Sequence, residues 1–219
     1  MCGIVGLINP DSAIDQATLC EMRDALTHRG PDDAGIWAHG GVGLAHRRLS
    51  VVDLSDAGHQ PMKSADGNWI IVFNGEVYNF EQLKQQLGPR EWRGSGDTEI
   101  IVEAFATWGV EAALKKFIGM FALAAYNVQT AQLWLARDRL GIKPLYYGWA
   151  GDQFVFSSEL TALRSCQELD LDRDALASYL RHSYVPAPHS VYTSMHKLMP
   201  GHLCRIDTKT LIRTALPPT

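Results

Sequence analysis

Apolar side chains recur along this chain with two periods. Strand-length runs, alternating or continuous and bounded by turn residues, occur at IVGLI near the start, NWIIVFNGEV (68–77), GMFALAAY (119–126), AQLWLARD (131–138), LYYGWA (145–150) and QFVFSS (153–158). The last four read as two hairpins, turned at residues 127–130 and at Gly151-Asp152. A final hairpin pairs HLCRID with TLIRTAL across Thr208-Lys209. In LAHRRLSVVDLSDAGHQPM an apolar strand is expected directly after the arginines. A helical rhythm places Leu19, Met22 and Leu26 on one face of residues 15–26, and Ile101, Ala104, Phe105 and Trp108 on one face of residues 98–109. Residues 79–87, 110–117, 158–165 and 172–182 read as helices as well.

Hairpins with helices in blocks predict an α+β fold rather than an alternating parallel one. From about Asp170 the chain turns rich in proline and turn formers and reads as a connecting segment. The closing LPPT is expected to end a strand and begin a linker.

Composition narrows the function classes. With 219 residues, 46% of them hydrophobic, the chain supports a core without staples. Its 24 acidic and 20 basic side chains give a formal charge of -4, so no basic field draws nucleic acid or an anionic membrane. No apolar run approaches about 18 residues, and the reading expects neither a signal peptide nor a membrane anchor. The four cysteines are too scattered for a zinc pattern, so no metal is expected, and too few for a disulfide scaffold; a reducing cytoplasm is the expected location.

Four stretches can carry chemistry. If Met1 is removed, Cys2 holds a thiol and a free α-amine, and the amine, with a reference pKa of about 7.7 to 8.0, can serve as base for its own thiol. A small buried side chain on a first strand explains Cys2 equally. Cys20, Cys166 and Cys204 read as packing residues. In FNGEVYN, Asn74 and Gly75 offer a side-chain and a backbone donor at one strand end, the composition of an oxyanion hole; a turn followed by Asn79 as a helix N-cap is the alternative. An arginine in HRRLS suits bidentate clamping of a carboxylate, or is simply solvated. Asp97, just before a helix, is by itself explained as an N-cap.

CGIVG, RGPDD, HRRLSVVD, NGEVYN, GDTE, ARDRLGIKPLYY and FSSEL occur in the order found in class II glutamine amidotransferase domains. More narrowly, the chain resembles the glutaminase domain of glutamine-hydrolysing asparagine synthetases, over essentially its whole length. RRLSVVD sets it apart from branches that carry R-W-A-T or R-Y-x-T.

The resemblance implies an N-terminal nucleophile hydrolase fold, a four-layer αββα sandwich with two antiparallel sheets. It implies that Cys2 attacks the glutamine side-chain amide and releases ammonia by way of a γ-glutamyl thioester. Asn74 and Gly75 match the oxyanion hole. Arg48 matches the α-carboxylate clamp, Leu49, Ser50, Val51 and Val52 the adjoining wall, and Glu76 and Asp97 the carboxylates that hold the α-ammonium. Arg137, Asp138, Arg139 and Lys143 are assigned to internal ion pairing and domain docking.

By the same resemblance, residues 2–170 are the amidotransferase core, and 171–219 complete the domain and lead toward an ATP-dependent synthetase domain. No S-G-G-x-D-S loop occurs, so no cofactor is expected on this chain, with ATP and Mg²⁺ confined to that further domain. The expected partners are L-glutamine and the synthetase domain or subunit, with a homodimer kept open. Aspartate is the acceptor implied, with another carboxylate or a sugar as the alternative. A glutamine-binding module without turnover and a Cys-His hydrolase are the competing readings.

Overall fold

The computed structural model describes residues 1–216; the expected linker start at Pro217 and Pro218 lies outside them. In chain order the elements are β1 (Gly3–Ile8), α1 (Gln16–Asp24), β2 (Asp33–His39), β3 (Val42–Arg48), a single 3₁₀ turn (Asp56–Gly58), β4 (Met62–Lys63), β5 (Trp69–Val77), α2 (Phe80–Leu87), α3 (Asp97–Trp108), α4 (Val110–Lys116), β6 (Gly119–Asn127), β7 (Gln132–Arg137), β8 (Tyr146–Ala150), β9 (Gln153–Ser157), α5 (Leu160–Leu163), α6 (Arg173–His182), β10 (Met195–Lys197), β11 (Leu203–Asp207) and β12 (Arg213–Leu216). Two antiparallel sheets result, ordered β10-β8-β9-β1-β3-β2 and β12-β11-β7-β6-β5-β4.

Period-2 alternation sorts the side chains into three cores, one at each boundary between four layers. On β1, Ile4 and Ile8 point between the sheets, where they join Leu44, Val72, Ala124 and Leu135. Val5 and Leu7 point the other way, onto Leu19, Met22 and Leu26 of the α1 region and Leu163 of α5. On β5, Ile71 and Phe73 pack outward with Ile101, Phe105, Leu114 and Phe117 of α3, α4 and the turn that follows. The architecture is therefore the αββα sandwich expected of an N-terminal nucleophile hydrolase.

Several local expectations need correcting. The β2–β3 hairpin, paired from Asp33↔Arg48 to His39↔Val42, was not legible, because glycines interrupt its apolar pattern. They are there for close approach: a Cβ on Gly41 would lie 1.9 Å from the Asn9 carbonyl, and one on Gly43 would meet Ile14 and Leu19. The strand expected after Arg48 lies before it; residues 49–53 form a loop, and Val51 is 72% exposed. Asp97 is the first residue of α3 rather than its cap, which is Gly96. Asn79 stands at the N-cap of α2, but its side chain joins Lys116 O and the Ile118 amide instead. The helix expected at 158–165 shrinks to one turn, α5. Within the connecting segment, β10 pairs with β8 as an edge of the first sheet.

Candidate active site

The site lies at one end of the sandwich, where β1 begins and β3 ends. The register pairs Gly3 with Arg47, which sets Cys2 opposite Arg48 one step further on. The Leu49 amide donates to Cys2 Sγ at 3.4 Å, and the sulfur lies 3.7 Å from the Leu49 carbonyl. Arg29 donates from Nε to the Cys2 carbonyl at 2.9 Å, and its Nη1 ion-pairs with Glu159 at 2.7 Å. Burial pushes the Cys2 thiol above its ordinary pKa, with the Leu49 hydrogen bond and the positive charges of the chain terminus and Arg48 opposing.

The β5 edge supplies the donors. Beyond the two residues of β4, β5 has no strand partner on this side, so the odd-numbered amides face side chains. The Phe73 amide donates to Gln60 Oε1 at 2.6 Å and the Val77 amide to Asp97 Oδ2 at 2.8 Å. By the same alternation the Gly75 amide between them points to this edge, and the cavity is lined there by Asn74, Gly75 and Glu76. A Cβ on Gly75 would stand 2.3 Å from the Met120 carbonyl, which restricts the position to glycine. Asn74 is 1% exposed and its amide nitrogen has no partner among the described residues. Such an orphan donor costs about 1–3 kcal/mol.

The loop after β3 encloses Arg48. Its guanidinium donates to the Ser55 carbonyl at 2.8 Å and to that of Asp53, and a Cβ on Gly58 would lie 2.0 Å from its Nη2. Asp53 accepts from the Ser55 amide and hydroxyl and from the Ser95 amide. These bonds hold its carboxyl well below the usual range and fasten the arginine loop to the Gly94–Gly96 turn. Glu99 receives Arg93 Nε and the Gly94 amide, so its charge is used locally.

That leaves Glu76, whose carboxylate makes no hydrogen bond among the described residues, and Asp97. Burial, with the nearby Glu76 charge, pushes Asp97 up to about 6 against the Val77 hydrogen bond. The enclosed space is about 260 Å³, sized for a small metabolite rather than a polymer. A cation, two carboxylates, an unpaired amide donor and a thiol lining one cavity suit a zwitterion with an amide or acyl group. No cluster of metal-ligating side chains occurs among the described residues.

Of the residues singled out in the sequence, Cys2, Arg48, Leu49, Val51, Val52, Asn74, Gly75, Glu76 and Asp97 all line this cavity. Ser50 does not; its amide donates to Asp32 Oδ2 at 2.8 Å. Gln60, Asp53 and Thr98 also line it, unanticipated, although Asp53 sits inside the RRLSVVD motif. Lys143 forms no ion pair among the described residues; it is buried in the cavity wall with its Nζ 3.3 Å from Met1 Sδ. Arg137 and Arg139 bind backbone carbonyls, not carboxylates, and Asp138 receives the amides of Phe121, Leu140, Ile142 and Lys143. This polar knot shapes the loop rather than forming ion pairs.

Fold and site together define an N-terminal nucleophile amidotransferase architecture, and comparison with known proteins gives the family. The glutamine amidotransferase domain family matches residues 1–215, and the chain belongs to it. It is 35% identical over 220 residues to a putative glutamine-hydrolysing asparagine synthetase 2 of Methanocaldococcus jannaschii, covering 90% of this chain and 42% of that protein. It is 36% identical over 208 residues to glutamine-hydrolysing asparagine synthetase 1 of Bacillus subtilis, covering 92% of this chain and 33% of that one. The chain thus spans less than half the length of these relatives. In fold it is similar to the glutamine phosphoribosylpyrophosphate amidotransferase of B. subtilis solved with ADP and GMP, with a TM-score of 0.73 at 20% identity over 98% of this chain and 49% of that one.

Proposed function

We propose that this chain hydrolyses the side-chain amide of L-glutamine and supplies the ammonia to an asparagine synthetase-type partner domain or subunit. The observation that carries the reading is the convergence of the Cys2 thiol, the unpaired Asn74 amide and the Gly75 edge on one cavity that Arg48 and Asp97 also line. Arg48 takes the α-carboxylate, and Asp97 with Glu76 takes the α-ammonium. This sets the amide carbon before the thiol.

The raised thiol pKa makes a separate base necessary, and the α-amine exposed by loss of Met1 provides one within the same residue. The amine takes the thiol proton as sulfur bonds to the amide carbon, and the carbonyl electron pair moves onto oxygen, held by Asn74 and Gly75. Collapse expels nitrogen, which leaves as ammonia with the proton from the amine. Water then attacks the γ-glutamyl thioester and gives its proton to the amine; carbon–sulfur cleavage returns that proton to sulfur and frees glutamate. No cofactor enters these steps. The acceptor we infer is aspartate, from the relatives' names, with ATP used in the partner rather than here.

A glutamate-release assay on Met1-free protein, with and without ATP and Mg²⁺, tests the division of labour. Release independent of both supports it. An absolute need for ATP, or no release at all, contradicts it.

A further inference from the structure

The start of α3 is fastened to the free edge of β5 at two points, and Gly75 lies between them. On one side Val77 N–H donates to Asp97 Oδ2. On the other, Gln60 spans the gap: its Oε1 accepts the Phe73 N–H at 2.6 Å, and its Nε2 donates to Thr98 Oγ1 at 3.4 Å. Gln60 is buried and lines the cavity. Its main chain is hemmed in as well, since a Cβ on Gly35 would lie 2.0 Å from the Gln60 carbonyl. From the other sheet, His46 Nε2 meets the Phe73 carbonyl at 3.1 Å. Burial pushes that imidazole down to about 3, so the ring is neutral and Nε2 carries the donated hydrogen. Where β4 ends, two side chains therefore replace a neighbouring strand and pin the Phe73 peptide groups.

The geometric consequence concerns length. The oxyanion donors and Glu76 belong to β5, and Asp97, the other ammonium-reading carboxylate, belongs to α3. The separation of these two elements decides how many methylenes fit between a substrate's α-carbon and its amide carbon. Glutamine has two, asparagine one. We propose that Gln60 is a positioning residue that fixes the spacing between the Asn74–Gly75 donors and Asp97, and so sets the side-chain length the site accepts. The proposal rests on the glutaminase reading. A pocket discriminates one methylene by only about 10- to 200-fold, and misplacement by about 1 Å can cost on the order of 100-fold. A loosened spacing should therefore erase most of the preference.

The test compares inhibition by glutamate γ-semialdehyde and aspartate β-semialdehyde. Each adds the Cys2 thiol across its carbonyl: a carbon–sulfur bond forms, the carbonyl π pair moves to oxygen and the thiol proton follows it. That oxygen occupies the place of the oxyanion. Gln60→Leu keeps the side-chain bulk and removes both bridges. It should weaken the γ-aldehyde about 10- to 100-fold, leave the affinity for glutamate within about threefold, and narrow the preference for the γ- over the β-aldehyde by about tenfold. Gln60→Glu still offers an oxygen to Phe73 N–H and can accept from the Thr98 hydroxyl, and should recover most of the preference. Thr98→Val, which cuts only the α3 end, should narrow it even if the leucine variant does not fold. A preference unchanged in Gln60→Leu and Thr98→Val, or both aldehydes weakened by one common factor, overturns the proposal. A wild-type protein that the γ-aldehyde does not inhibit contradicts the glutaminase assignment and this proposal with it.

Discussion

Burial pushes two residues of the cavity upward in pKa, with opposite chemical results. At Cys2 it keeps the thiol protonated near neutrality, so reaction needs a base. Cys2→Ala should abolish glutamate release while isothermal titration still detects glutamine binding, because only the bond-forming atom is lost. At Asp97 burial strains the charged form. Its value of about 6 stands above the 3.8 of an unperturbed Asp, so the empty folded site binds an extra proton between those values. That contribution to stability is full below about pH 4 and is lost as pH rises through 6. Asp97→Asn should therefore raise the unfolding free energy of the empty protein at pH 7, by up to about 3 kcal/mol for a two-unit shift. Glutamine binding has the opposite dependence, because the ammonium needs the ionised carboxylate. The wild-type KM should rise as pH falls below 6, by up to about tenfold per pH unit, whereas Asp97→Asn should show a high KM with little slope between pH 5 and 8. Kinetics across that range, beside denaturant melts at pH 7, check both halves.

Between elements, the loop that carries Arg48 is held by packing as much as by hydrogen bonds. Gly58→Ala places a methyl against the guanidinium and should act like Arg48→Ala, raising the glutamine KM tenfold or more, on the order of a lost charged contact, with kcat less affected. An unchanged KM would mean that the guanidinium moves freely and does not read the carboxylate. This loop also shows where the sequence was and was not legible. The apolar run LSVV carries a strand's composition, but in the fold it faces a cavity and solvent rather than a core, and periodicity cannot tell those apart. The β5, β6, β7 and β9 runs were legible because nearly all their side chains are buried between layers, and β8 because its apolar run pairs with β9 across a short turn. The β2–β3 hairpin was hidden by glycines that serve close backbone approach. Ordered motifs placed Arg48, Asn74, Gly75 and Asp97, whereas Gln60 was missed because its role depends on a strand edge that appears only after the sheet is assembled. Lys143 was read with its charged neighbours as an ion-pairing and docking residue, because nothing in ARDRLGIKPLYY shows that the loop folds back to the cavity beside Met1.

For the molecule as a whole, the cavity carries its own nucleophile, donors and charged walls, so the half-reaction should run in this chain alone, with no asparagine formed. The rate should be below that of a full-length relative, because docking and loop closure commonly complete such sites. Val51 and Val52 are exposed and line the cavity. The most direct test of the account concerns the first residue. Met1 lines the cavity and lies against Lys143, and the proposed mechanism requires its removal to free the Cys2 amine. Two preparations differing only in Met1, verified by intact mass, should be assayed for glutamate release. The Cys2-terminated protein should turn over and the Met1-bearing protein should not, and equal activity in both would contradict the assignment of the Cys2 amine as the catalytic base.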